Sequence, residues 1–539
     1  MKTTADEYDY IVVGAGSSGC ALAGRLARLL PLASIALIES GPNDDSALVT
    51  IPAALILQLP FRSKRNYAYK TVPQHGLNHR RGYQPRGRGL GGSSSINAMV
   101  YVRGNPDDYD GWAKQGCDGW RWTDVLPYFI RSEHNERGAD SWHGTGGLLN
   151  VADGRSPHPY ATHFLKAARQ TGFPSNADFN GATQEGVGHY QVTQKDGERW
   201  NAARAFLHNE RLPNLDRLTN TTALKIVFEG KRASGVAIVR GKSNSVLRAR
   251  AEIVLAAGAF GSPQLLLCSG VGPINQLKQF GISPVHDAPG VGQNLQDHPD
   301  YIRSVRVKNA DTLGISVRGT IGLFRAALRY RTQRSGMLTS NGAEAGGFFK
   351  TSTTLSQPDI QMHFVTAMLD DHGRKHHWGH GYSCHVCILQ PKSRGTLSLT
   401  SPDMRDSPLI DPGLLSEQED LTTLLKGVQM MNRILEAPAL SMLGGLPVQP
   451  LPKSDTAWES EIRQRADTGY HPAGTCRMGK DTLAVVDPEL RVYGVAGLRV
   501  ADASVMPTLI SGNTQAAAVM IGERAADFLA QSISLLGGD

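Results

Sequence analysis

The chain has 539 residues, a length that suggests about three domains of ordinary size or one large composite unit. Forty per cent hydrophobic and 19 per cent charged residues, with 59 Gly and 29 Pro, describe a chain that folds around a large core and exclude a low-complexity or disordered one. The net charge of +7 is small for this length, and the densest basic cluster, His79-Arg80-Arg81 with Arg86 and Arg88, has no aromatic-interleaved RNA motif or zinc-finger spacing beside it, so no nucleic-acid partner is expected.

In chain order, the stretch from Met1 to Tyr10 carries acids and no apolar h-region, so it does not read as a secretory signal. Tyr8 to Val13 is a short, β-branched apolar run ending at Gly14, as a buried parallel strand does. Ser17 to Leu30 changes to Ala and Leu at helical spacing and closes at Pro31. Ser34 to Glu39 reads as a second buried strand, which completes a βαβ unit. A Gly- and Arg-rich loop spans Arg80 to Asn97, and an aromatic stretch from Tyr109 to Phe129 is expected to pack a loop or short helices onto the core. Ala223 to Arg250 alternates apolar and polar residues around turns at Glu229-Gly230 and Arg240-Gly241, the pattern of an antiparallel meander. Ala251 to Gly258 returns to the buried-strand style, with a helix beginning near Ser262-Pro263. From about 300 to 465 the texture is mixed, with strand-like segments at 360–365, 384–390 and 395–399 and a helical one at 417–435. Leu498 to Asp502 is one more short strand and Gly512 to Leu529 a small-residue helix. The fold class expected is α/β, an α+β composite. A Rossmann-like dinucleotide-binding domain (1–300, with loop and meander insertions, and again 466–539) encloses a second, substrate-binding domain (301–465), an antiparallel sheet flanked by helices. No internal repeat of fixed period occurs.

Six dispersed cysteines (Cys20, Cys117, Cys268, Cys384, Cys387, Cys476) do not make a disulfide scaffold, and a reducing, cytoplasmic setting is expected. No run approaches the roughly eighteen apolar residues of a spanning helix.

Gly14-x-Gly16-x-x-Gly19 follows a strand and opens a helix, the context in which glycines let backbone N–H groups approach a pyrophosphate. Glu39, at the end of the next strand, is placed to accept from the ribose hydroxyls. This unit leaves FAD and NAD both open. The loop Arg86-Gly87-Arg88-Gly89-Leu90-Gly91-Gly92-Ser93-Ser94-Ser95-Ile96-Asn97 adds N–H donors and close backbone approach to a flat or anionic ligand.

That loop, together with the segments Gly258 to Gly272, Gly290 to His298, Tyr470 to Gly479, Asp502 to Pro507 and Ser511 to Gln515, closely resembles the glucose-methanol-choline (GMC) oxidoreductases over nearly the whole chain. The resemblance implies FAD, held by Gly14, Gly16, Ser17, Ser18, Gly19 and Glu39, by Arg88, Gly91, Gly92, Ser93 and Asn97 of the loop, and by Ala223, Ala257 and Gly258. It places Asn97 near the reactive ring edge, Asp502 and Ala503 near the ribityl-pyrophosphate portion, and Thr514 and Gln515 near the pyrimidine edge. Where some relatives tether the flavin through a His, this chain has Ile96, so FAD is expected to be non-covalent.

By the same resemblance His471 aligns with the catalytic base and Asn513 with its partner. The chemistry agrees, because imidazole suits removal of a hydroxyl proton near neutral pH and an amide N–H stabilises the developing alkoxide. Tyr470 and Glu344 are candidate substrate contacts; an acid like Glu344 can face the trimethylammonium group in choline-oxidising relatives, and a buried, satisfied Glu is an equal reading. Cys384-x-x-Cys387 in a strand points to opposite faces and lacks a second pair. The histidines around Trp378 (His372, His376, His377, His380, His385) read as a polar loop beside a substrate entrance, so no metal is expected. The expected activity is oxidation of a primary, aliphatic alcohol to the aldehyde, as in the bacterial branch that Gly188 to Trp200 and Pro391 to Gly395 resemble. There the electrons pass to a quinone or other acceptor rather than oxygen, which would allow peripheral contact with the inner face of a membrane. Choline dehydrogenase, an oxygen-using oxidase and a flavin-containing lyase are the alternatives.

Overall fold

The computed structural model describes residues 6–308, 312 and 314–536; the first five residues of the N-terminal stretch read above lie outside them. The strands Glu7–Val13 and Ile35–Ile38 pair in parallel, with the helix Ser17–Leu29 crossing between them. All four residues of Ile35–Ile38 and the last four of Glu7–Val13 are buried, as expected of a sheet covered on both faces. The sheet has seven strands: Leu215–Leu218, Ile35–Ile38, Glu7–Val13, Ser243–Leu255, Arg232–Arg240 and Thr221–Glu229 lie side by side in that order, and Leu498–Val500 pairs in parallel with Ser243–Leu255.

The meander and the buried strand expected after it are one continuous element. The first half of Ser243–Leu255 pairs antiparallel with Arg232–Arg240, and its second half lies parallel to Glu7–Val13 and Leu498–Val500. The helix that follows starts at Gly258, four residues before the position expected from sequence, and Pro263 lies within it. The aromatic stretch forms two helices, Pro106–Lys114 and Trp122–Ser132, whose Tyr109, Trp112, Trp122 and Phe129 pack on one another.

The second sheet is antiparallel, in the order Leu446–Pro447, Pro299–Val307, His380–Ile388, Ile360–Val365, Ala343–Phe349, Gly186–His189. The helices Pro159–Gln170 and Gln418–Glu436 supply its own buried core, through Phe164, Leu424, Val428 and Met431 among others. The division at residue 300 is therefore not clean. Helix Pro159–Gln170 and strand Gly186–His189 belong to this second layer, while Leu397, Leu399 and Ile410 pack into the core of the first. The four-residue strand 186–189 contains two glycines and takes its pairing from a partner far along the chain, so no local pattern marks it.

Candidate active site

Between the two sheets lies a cavity of about 1180 Å³. Its floor is the βαβ unit. Glu39 is buried at the tip of Ile35–Ile38, with Oε1 accepting from the amides of Gly41 (2.8 Å) and Gly89 (2.9 Å) and Oε2 from that of Ala15 (3.0 Å). One carboxylate thus ties three loops together and still offers a lone pair on Oε2 to a ligand. Burial pushes its pKa up against the pull of these amides.

Gly14, Gly16, Ser17, Ser18, Glu39, Arg88, Gly92, Ser93, Asn97, Ala223, Ala257, Gly258, Asp502, Ala503, Thr514 and Gln515 all line the cavity. Gly19 and Gly91 do not reach it. A Cβ on Gly19 would stand 1.9 Å from the Gly14 carbonyl oxygen, so this position serves the close approach of helix and loop. Gly91, at φ 85°, turns the loop and receives the amide of Ser94 on its carbonyl. Asp502 accepts from Gly258 N, Ser262 Oγ and Ser504 N, and so joins two short helical starts beneath the cavity.

His471 and Asn513 meet at the opposite end. Asn513 Nδ2 donates to His471 Nε2 at 3.2 Å, and Asn513 Oδ1 accepts from Gln361 Nε2 at 3.0 Å. His298 completes the arrangement. Its Nε2 lies 3.1 Å from the Leu389 carbonyl oxygen, which only accepts, so the proton of neutral His298 sits on Nε2 and its Nδ1 is an acceptor. His471 Nδ1, 2.9 Å from His298 Nδ1, must then be the donor. His471 Nε2 is left as the basic nitrogen, facing the cavity beside Asn513. Burial pushes His298 down to about 4, and burial with neighbouring His298, His363 and Arg86 pushes His471 well below the usual imidazole range, so both rings are neutral near pH 7.

Asp297, next to His298, holds the backbone: Oδ1 accepts from His471 N (2.9 Å) and Oδ2 from Thr468 Oγ1 (2.5 Å), whose own oxygen accepts from Tyr470 N. Tyr470, at φ 72°, is held in the left-handed region just before His471, and its hydroxyl is 2.6 Å from His372 Nδ1. Asp297 and His298 stand in one of the segments that resemble the family, but nothing in their local pattern assigns them these tasks.

Glu344 is not in this site. It is buried in Ala343–Phe349 on the other side of the sheet, its oxygens accepting from Ser340 Oγ and His158 N at 2.5 Å each, beside a smaller pocket. The bulge between Ala343 and Ala345 lies at this residue. Of the cysteine pair, Cys387 lines the cavity while Cys384 packs into the second core, opposite faces as the strand dictates. His376, His377 and Trp378 stand at the cavity, and no cluster able to hold a metal ion occurs among the described residues.

The family pattern described as GMC oxidoreductase matches residues 8–300 and again 391–522. The chain belongs to the GMC oxidoreductases. It is 45% identical to "Alcohol dehydrogenase [acceptor]" of Pseudomonas putida, over 99% of this chain and 97% of that protein. It is 40% identical to the mitochondrial choline dehydrogenase of Homo sapiens, over 97% of this chain and 90% of that one. Among solved structures, pyridoxine 4-oxidase from Mesorbium loti superposes with a TM-score of 0.85 at 30% identity, covering 96% and 98% of the two chains. An Aspergillus oryzae formate oxidase variant, described for its effect on FAD modification, gives 0.91 at 26%, covering 99% and 100%.

GMC oxidoreductases bind FAD, and the cavity of this member suits that group. A Cβ on Gly92 would strike Gly16 Cα at 2.7 Å, so the two glycine loops close tightly over the floor. In the lining, Arg88 Nε and Gln515 Nε2 are buried donors without a partner in the protein, as a polar ligand requires.

Proposed function

We propose that the chain oxidises an uncharged, aliphatic primary alcohol to the aldehyde. The observation that carries the reading is the hydrogen-bond chain from the Leu389 carbonyl through His298 to His471, which leaves Nε2 unprotonated beside an amide donor. His471 Nε2 accepts the hydroxyl proton, and the resulting cation keeps its Nδ1–H on His298. Asn513 Nδ2 turns its donor to the developing alkoxide, its amide held in orientation by Gln361. FAD, when bound, supplies the hydride acceptor.

Substrate polarity follows from the wall facing this pair. Met99, Val100, Val365, Ala367, Met368 and Leu369 are apolar, and the carboxylate of that wall, Asp300, is engaged by His385 Nδ1 at 2.7 Å. With Glu344 on the far side of the sheet and Asp300 Oδ2 taken by His385, the apolar side chains of this wall favour the aliphatic alcohol over choline. Ile96, in the loop beside Asn97, offers no nucleophile, which supports non-covalent FAD; acid precipitation should release the flavin from the protein. Anaerobic addition of a medium-chain primary alcohol should bleach the flavin band and choline should not. Bleaching by choline alone would reverse the substrate assignment, and product formation from a cyanohydrin without bleaching would replace oxidation by the lyase reading.

An acceptor other than oxygen, reached at a membrane surface, completes the reading. Leu57, Phe61, Phe324, Leu328 and Trp378 are 59–77% exposed; Leu57 and Trp378 line the cavity, as does the exposed Leu323 next to Phe324 in the chain, so large apolar side chains stand at its mouth. The sequence holds no acid between Asp45 and Asp107, where nine Lys and Arg occur, and none between Asp311 and Glu344, where five Arg occur. An apolar rim set in cationic segments is complementary to an anionic lipid surface. No helix is long and apolar enough to cross a membrane among the described residues.

A further inference from the structure

Arg199 lies beneath the glycine-rich loop and is fully buried. Its Nε donates to the Val49 carbonyl at 3.0 Å, and Nη1 donates to the Ser94 carbonyl at 3.0 Å and to Asn97 Oδ1 at 2.8 Å. Nη2 has no partner, and no carboxylate stands within ion-pair distance among the described residues. A buried guanidinium without a counter-ion is costly to keep, so a structural role alone explains it poorly.

The hydrogen bonds continue from it into the cavity. Asn97 Oδ1 receives two donors, Arg199 Nη1 and Met99 N, so its Nδ2 faces the other way and donates to Gln515 Oε1 at 2.5 Å. With that oxygen engaged, Gln515 presents Nε2, the buried donor without a partner, at the cavity lining. Gln515 is the first residue of the 22-residue helix Gln515–Leu536 and stands two positions from Asn513. A cation, an oriented amide donor and the positive end of a long helix therefore converge on the end of the cavity where His471 acts.

We propose that Arg199 is a positioning residue for electron uptake: through Asn97 it fixes Gln515 as a donor to the redox-active ring, and its charge stabilises that ring when it becomes electron-rich. The proposal rests on the FAD reading. In alcohol oxidation the hydroxyl proton goes to His471, the substrate carbon gives up a hydride as its C=O bond forms, and the ring gains the electron pair. Donors and positive charge placed there in advance favour that gain.

Sulfite isolates this effect, because it adds its electron pair to the flavin ring and leaves negative charge on it without alcohol or base. In the holoenzyme, Arg199→Met should weaken sulfite binding at least about tenfold, the scale of a lost hydrogen bond to a charged group. It should also lower the flavin midpoint potential. Arg199→Lys keeps the charge and should restore most of both. Gln515→Leu, with Arg199 intact, should shift both in the same direction as Arg199→Met, and it decides alone if that variant fails to retain flavin. Wild-type sulfite affinity and potential in flavin-bound Arg199→Met or in Gln515→Leu would overturn the proposal. Purified wild-type protein without visible flavin absorbance would overturn the cofactor reading itself, before sulfite is added.

Discussion

At the scale of single residues, the site depends on which nitrogen of His471 carries the proton, and a second histidine 173 residues away decides it. His298→Leu removes the acceptor for Nδ1–H and frees the ring to take the other tautomer. Turnover should fall about ten- to hundredfold with flavin still bound, on the scale of general-base effects, and steady-state kinetics against flavin content would check this. Burial lowers the pKa of both imidazoles. A base that is neutral well below pH 6.5 keeps kcat/KM level from neutral pH down past 6, so the acid limb of the profile should lie below the ordinary imidazole range. Stability runs the opposite way. Between about 6.5 and the folded value of about 4, the unfolded chain binds a proton at His298 that the folded protein excludes, so thermal stability should fall as pH drops through that window. A melting temperature unchanged between pH 7 and 4.5 would contradict the burial of neutral imidazoles. The glycines and Glu39 form a pattern legible in the sequence, whereas His471 and Asn513 are singled out there only by the family resemblance. The contacts of His298 with His471 and of Arg199 with Asn97 are not legible, since they span 173 and 102 residues and only folding makes them.

At the scale of elements, the N-terminal helix Ser17–Leu29 is held against the C-terminal helix by a buried ion network. Glu523, fully buried, accepts from Arg25 Nε at 2.8 Å and Nη2 at 2.9 Å and from Arg131 at 2.7 Å. Glu523→Leu leaves two partly buried guanidinium groups without their shared partner and should cost about 3 to 5 kcal/mol in urea denaturation. A loss under about 1 kcal/mol would mean that both arginines find water instead. Gly19→Ala places a methyl against the Gly14 carbonyl and should abolish FAD retention, measured as flavin per protein. The first strand, helix and second strand are readable from periodicity alone, to within one residue for each. The fusion of meander and parallel strand in Ser243–Leu255 is not, because its two halves carry two different burial patterns imposed by different neighbours.

At the scale of the whole molecule, the chain passes repeatedly between two cores, and His471 and Asn513 enter on segments that return to the first sheet after the second is built. The strand Leu498–Val500 pairs within the first sheet, and the segments at 159–189 and 397–410 are pieces whose burial is set by sheets they do not adjoin in sequence. The cavity mouth is a property of this level too, since three distant segments contribute Leu57, Leu323 and Trp378 to it. The holoenzyme should sediment with vesicles containing phosphatidylglycerol and far less with pure phosphatidylcholine. Phe324→Ser with Trp378→Ser should release it several-fold, as expected for lost apolar burial. Equal sedimentation of this variant would remove the mouth from membrane contact.

The central claim is that His471 takes the proton of an aliphatic alcohol while FAD is reduced. Its most direct test is the rate of anaerobic flavin bleaching by a medium-chain primary alcohol in wild-type protein and in His471→Ala. The account predicts bleaching in the wild type and a rate at least about a hundredfold lower in the variant, with equal flavin content. Equal rates in the two proteins would contradict it.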